Sequence, residues 1–112
     1  MSYVLTRFDL SLLVVIQGLG GVPGAESVHG RSVVELARAT GALGEFSTGE
    51  LLAATKHLAE VLGLLEVETP KKGGLRSRLT PSGVERLATE LEVQSWAHEL
   101  ATRLRGHMSV AA

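Results

Sequence analysis

The sequence contains no cysteine. That excludes disulfides and thiolate metal sites, and it suits a reducing compartment. Aromatic residues are scarce, at 4%, so a core must be assembled from leucine, valine and alanine, a composition that favours helices over a sandwich of aromatic-rich strands. Long apolar runs are missing too. The longest, Leu12 to Ile16, falls far short of the roughly 20 residues a membrane span needs. No basic segment precedes it in the manner of a signal peptide, so a soluble, cytoplasmic protein is expected. Finally, neither sign of charge dominates: 11 Lys and Arg stand against 12 Asp and Glu, a formal net charge of -1. A strongly basic nucleic-acid binder looks different, and any case for such a partner must rest on local charge.

What is present is an ordinary globular composition, 45% hydrophobic and 21% charged over 112 residues, enough for one core without metals or disulfides. Asp9 is placed to cap a first helix from Leu10 to about Gln17, although Leu12 to Ile16 has no helical period and reads equally well as a buried strand. The run Gly18-Leu-Gly-Gly-Val-Pro-Gly24 then breaks regular structure and begins a loop reaching about Gly30. A phosphate-binding glycine loop would need a helix opening directly on its last glycine, which Pro23, Gly24 and the polar stretch behind them do not supply.

Ser32 is the expected cap of a second helix, with Val33, Val34, Leu36 and Ala37 as its apolar residues and Gly41 as its end. Ser47 or Thr48 opens a third helix reaching about Leu62, with Gly63 as its stop. At 100° per residue Leu51, Thr55, Leu58 and Leu62 share one stripe, while Glu50, Ala53, Lys56, His57 and Glu60 point away. Leu64 to Thr69 and Leu75 to Thr80 are two extended runs joined by a turn-rich connector, Pro70 to Gly74. Thr80 and Pro81 then supply the N-cap and first position of a last helix.

The predicted fold is therefore mainly α with a small antiparallel β-hairpin. Two short helices followed directly by a hairpin is the build of a winged helix-turn-helix, with the second helix entering the major groove of double-stranded DNA and the wing, Glu66 to Thr80, lying along the backbone. Residues 1–80 would form that DNA-binding domain and residues 81–112 a C-terminal dimerisation helix and tail. Between Glu68 and Glu85 there is no acidic residue, yet Lys71, Lys72, Arg76 and Arg78 all fall there; such a concentration can neutralise phosphates in a slightly acidic molecule. Ser47, Thr48, Lys56 and His57 are the matching candidates on the third helix. Glu50 and Glu60 on its outer face, with the near-neutral net charge, favour the alternative, a winged-helix module for protein contact without specific DNA binding; for the four hairpin cations the plainer reading is a solvated edge guarded against sheet aggregation.

In the last segment Val84, Leu87, Ala88 and Leu91 form one apolar stripe, and Val93, Trp96, Ala97, Leu100 and Leu104 form another about 180° away. A straight helix cannot bury both on one small domain, so the second stripe would be covered by a second copy, giving a homodimer. A break near Glu92 would instead let both halves fold back. Trp96 could also wall a cavity between subunits for a planar small-molecule effector. The four histidines, His29, His57, His98 and His107, lack partners at metal-ligand spacing, and no nucleophile motif occurs, so no catalytic residue, metal or cofactor is expected.

Four stretches, Val28-His-Gly-Arg-Ser-Val-Val-Glu-Leu36, Ser47-Thr-Gly-Glu-Leu-Leu-Ala-Ala-Thr-Lys-His-Leu58, Leu62-Gly-Leu-Leu-Glu-Val67 and Arg76-Ser-Arg-Leu-Thr-Pro-Ser-Gly-Val-Glu-Arg-Leu87, resemble the PadR family of bacterial winged-helix regulators. The resemblance runs from the first helix to the last. It implies transcriptional repression, a homodimer and, in many members, release from DNA by a small molecule. Leu52 stands where that family often has a tyrosine, and Thr55 where it often has a leucine.

Overall fold

The computed structural model describes residues 4–111. The chain is mainly helical with a small antiparallel sheet. In order the elements are α1 (Arg7–Gly18), β1 (Val28–His29), α2 (Gly30–Thr40), α3 (Thr48–Lys56), which runs on into a π-helical turn (His57–Val61), β2 (Leu65–Glu68), β3 (Arg76–Leu79), α4 (Pro81–Val93) and α5 (Ser95–Ala111). No helix among the described residues is long and apolar enough to cross a membrane.

α1 is the axis of the core. Every residue from Leu10 to Ile16 is buried, because α5, α4, α2 and β3 surround the helix. A helix covered on all sides needs no polar face, which is why its sequence shows no period. It starts earlier than Asp9: Thr6 is the N-cap, its hydroxyl accepting from the Asp9 N–H at 3.0 Å while the Asp9 carboxylate accepts from the Thr6 N–H at 3.3 Å. Asp9 is thus the third helical residue of a reciprocal capping box.

The loop expected up to Gly30 holds a strand too short to announce itself. β1 pairs antiparallel with β3 (Val28 opposite Ser77, His29 opposite Arg76), and β2 pairs with the other side of β3, from Leu65 opposite Leu79 to Glu68 opposite Arg76. The sheet is therefore three-stranded, with β3 at its centre. The glycine run between α1 and β1 lies against that strand. Gly21 accepts from the Leu79 N–H at 2.8 Å, and a Cβ there would come within 2.7 Å of Ile16 Cγ2 and 3.3 Å of the Ser77 carbonyl. Close backbone approach is the reason for glycine at this position.

α2 opens at Gly30 with His29 as N-cap, so Ser32 lies within its first turn instead of capping it; Gly41 ends it in the left-handed region at φ 69°. Ser47 caps α3. The expected single α-helix to Leu62 instead widens after Lys56, where Leu62 N–H reaches back to the His57 carbonyl at 3.2 Å, and Gly63 then reverses the chain at φ 65°. The wider turn keeps Leu58 fully buried but leaves Val61 exposed.

Thr80 caps α4 as its spacing to Pro81 suggests, accepting from Gly83 N–H at 3.0 Å. Gly83 passes so close to the backbone of Leu64 that a Cβ would collide with its carbonyl oxygen. The final segment is not one straight helix. α4 ends at Val93, Gln94 is extended at φ -107° and ψ 98°, and α5 folds back along α1. This corrects the expected interface between copies. Ala97, Leu100 and Leu104 are 0%, 7% and 1% exposed within a single chain, in one cluster with α1 and Leu87 of α4. The 180° offset between the two stripes is absorbed by the corner at Gln94, which turns both toward the same core. Of the five residues expected to face a second copy, Val93 alone is fully exposed, and Trp96 is half-buried.

Candidate functional site

α2 and α3 are joined by the turn 41–47, which several local contacts hold in shape. Thr40 Oγ1 donates to the Leu36 carbonyl at 2.7 Å and accepts from Ala42 N–H at 3.3 Å, and Gly44 N–H donates to the Gly41 carbonyl at 3.0 Å. Phe46 meets Phe8 of α1 edge-on at 6.3 Å, and the Arg38 guanidinium lies 5.6 Å from the Phe46 ring. These contacts fix where α3 begins. Leu51, Thr55 and Leu58 face inward, and the buried Thr55 hydroxyl is satisfied by the Leu51 carbonyl at 2.7 Å. Gly49, Leu52, Ala53, Lys56 and His57 are exposed.

The candidate residues on α3 divide by what already occupies them. Ser47 Oγ accepts from Glu50 N–H at 3.1 Å and donates to Glu50 Oε1 at 3.2 Å, while the same carboxylate accepts from Ser47 N–H at 3.3 Å. Ser47 is therefore committed to starting the helix. The same box draws the Glu50 charge onto the helix N-terminus, where it is stabilising, and away from the outer face. Thr48, Lys56 and His57 are exposed; Thr48 and Lys56 stand about 12 Å apart along the axis, at 1.5 Å per residue.

The hairpin cations divide in the same way. Lys71 and Lys72 are exposed at the tip, in a connector whose Gly73 has φ 93°. Arg76 and Arg78 are not free. Arg76 Nη2 donates to the Ser27 carbonyl at 2.8 Å and its Nε to Ser27 Oγ at 3.2 Å, and that hydroxyl donates to Glu68 at 3.2 Å. Arg78 Nε contacts Glu66 Oε2 at 2.6 Å and its Nη1 donates to the Ala25 carbonyl at 2.9 Å. The hydrogen bond and charge of Glu66 hold the Arg78 guanidinium above its ordinary pKa. The physical reason is register. Glu68 is directly opposite Arg76 and Glu66 directly opposite Arg78, so a stretch free of acids in sequence is not free of them in space. The two arginines tie the connector before β1 to the sheet.

One cation that sequence reasoning missed joins the tip. His29, Gly30, Arg31 and Ser32 at the start of α2 face Gly73 and Gly74 across a cleft of about 520 Å³, closed at its base by Gly30 N–H donating to the Leu75 carbonyl at 2.9 Å. Arg31 is exposed and makes no ion pair among the described residues. Its proximity to the tip depends on β1, so the only signal would have been recognition of Val28–His29 as a strand.

Trp96 is half-buried within the single chain. It lines a groove of about 720 Å³ within the chain, between α1, the turn after α2, and α5, with the Arg7 guanidinium 4.4 Å above its ring. Comparison of the chain with protein-family models, with curated proteins and with solved structures returns no match.

Proposed function

We propose that this chain is a winged helix-turn-helix DNA-binding regulator of the PadR-like kind, a repressor acting as a homodimer and released by a small molecule. The observation that carries the reading is the cleft where the start of α2 meets the hairpin tip, because it sets Arg31 against Gly73 and Gly74, which directly follow the exposed Lys71 and Lys72 in the chain, while α3 presents an exposed face. The element order helix, strand, helix, helix, hairpin supports it. In this reading Arg31, Lys71 and Lys72 contact phosphates, and Thr48, Lys56 and His57 face the groove. Arg76 and Arg78 act by holding the hairpin in place, and Ser47 by starting α3. A single α3 covers few base pairs, so two copies on a two-part site belong to the proposal. Val93, 76% exposed at the α4–α5 corner, is the member of the expected interface still available to a second copy.

Electrophoretic mobility of a fragment from the gene's own upstream region, measured across several salt concentrations, tests the proposal. Tight binding that weakens with salt is expected. Lys71→Ala and Lys72→Ala should each reduce the slope of log K against log salt by about 0.9, one phosphate contact apiece. Absence of binding at low salt would overturn it.

The second reading, a winged-helix module for protein contact, is favoured by two apolar residues on the α3 segment, Leu52 at 41% and Val61 at 56% exposure. Indifference to DNA together with loss of a co-purifying protein in the Leu52→Ser variant would select it.

A further inference from the structure

We infer that Leu52 reads the methyl group of thymine in the major groove, so that the preferred site is set by an apolar contact at this point of α3. The inference rests on the proposed DNA interface and names what α3 recognises there. Two ridges of side chains run along the outer side of α3. Thr48, Leu52 and Lys56 are spaced by four, as are Gly49, Ala53 and His57, and all of them are exposed. Leu52, at 41% exposure, is the largest apolar side chain on that face. Leu52 and Thr48 also border an apolar hollow of about 220 Å³ together with Arg31 and Gly74. Leu52 therefore opens on the side of the molecule that carries the cleft at the hairpin tip. A duplex whose phosphates meet Arg31, Lys71 and Lys72 brings its groove to this face.

The chemistry of the face narrows what it can read. Adenine is held by the paired donor and acceptor of a side-chain amide, guanine by arginine or lysine, and cytosine by a carboxylate. The sequence has no asparagine, and its two glutamines, Gln17 and Gln94, lie in α1 and at the α4–α5 corner. α3 has no arginine. Of the carboxylates, Glu50 is held by Ser47, and Glu60 lies in the π-helical turn beyond α3. Lys56 alone is left for guanine, one turn from Leu52. Among the base edges of the major groove, thymine is the one that offers an apolar group, its methyl. A leucine set against that methyl removes apolar surface of both from water. Gly49 lets the helix come close enough. A Cβ there would meet only Ser47 Oγ, at 3.8 Å, so packing within the chain does not call for glycine, whereas close approach to base edges does.

The fragment from the gene's own upstream region, amplified once with thymidine and once with deoxyuridine triphosphate, primers included, gives two duplexes of one sequence. They differ only in the thymine methyls. Fluorescence anisotropy then compares the binding of the full-length protein to each across several salt concentrations. The uracil duplex should bind about fourfold more weakly for each methyl lost from Leu52, hence about fifteenfold for two copies on a two-part site. Leu52→Ala should weaken binding to the thymine duplex and bring the two duplexes to nearly equal affinity. The slope of log K against log salt should stay unchanged, since no phosphate contact is lost. Leu52→Met, which keeps an apolar side chain of similar volume, should retain the preference. Equal affinity of the parent protein for the two duplexes, or a preference undiminished in Leu52→Ala, would overturn the inference and leave the DNA-binding proposal standing. Failure to bind either duplex at low salt would overturn both and return Leu52 to the protein-contact reading.

Discussion

Gly83 stands in the first turn of α4, and replacing a helical glycine by alanine ordinarily gains about 1 kcal/mol. Here the sign should reverse. The new Cβ would collide with the Leu64 carbonyl oxygen and sit 3.1 Å from the carbonyl carbon and 3.4 Å from Cα of the same residue. These are backbone atoms and cannot rotate aside. α4 must therefore lift away from the entry to β2. The bonds that seat it would stretch with it: Thr80 N–H to the Leu64 carbonyl at 3.0 Å and Thr80 Oγ1 to the Gly63 carbonyl at 2.7 Å. Overpacking of this kind costs about 1–3 kcal/mol, and two weakened hydrogen bonds add about 1 kcal/mol each. After the gain in propensity, a net loss of about 2–4 kcal/mol is expected, a large part of the stability of a domain this size. Urea denaturation of Gly83→Ala and Gly106→Ala measures it. A Cβ at Gly106, in α5, meets nothing within 4 Å, so that variant should be stabilised by about 1 kcal/mol. A Gly83→Ala protein as stable as its parent would refute the packing argument.

The folding-back of α5 leads to a second test. Leu104→Ala should cost about 2–5 kcal/mol in urea, as for a buried core leucine, without changing the mass of the native assembly in light scattering; dissociation of an assembly without loss of stability would place Leu104 between copies instead. Ser47→Ala should cost about 1 kcal/mol by removing the α3 cap, lowering the melting temperature by about 4 °C, while Ser47→Asp should restore most of it. An unchanged melting curve for Ser47→Ala would mean that its hydroxyl serves something other than the helix start.

How much could be read in advance depended on the range of the interaction involved. Helix order, the hairpin, the Gly41 and Gly63 stops and the Thr80–Pro81 start follow from local chemistry, and the structure contains each of them. Two features were hidden because their causes are not local, and a third, the break expected near Glu92 as an alternative to a straight helix, could not be decided for the same reason. β1 exists only through its pairing with β3. The π-helical turn after Lys56 packs against β2, and nothing within His57–Val61 marks it. The corner at Gln94 has no glycine or proline to mark it, since residues 92–95 read Glu-Val-Gln-Ser. The two offset stripes did carry that information, but they are equally consistent with a straight helix and a partner, and only the burial of Leu100 and Leu104 against α1 separates the two. The candidate site suffered in the same way. Counting charges along the chain brought Arg76 and Arg78 together with Lys71 and Lys72, whereas pairing across the sheet separates them.

That separation divides the hairpin into a frame and an exchangeable end. Arg76 and Arg78 answer to Glu68, Glu66 and the carbonyls of Ser27 and Ala25, so a change at either reaches the connector and the whole sheet. Residues 70–74 are all exposed and lie beyond the last paired residues. Under selection the two parts therefore face different constraints. The frame is limited by stability, while the tip can alter its charge, length or preferred partner with little effect on folding, which makes it the part of this molecule where a new specificity could arise most easily.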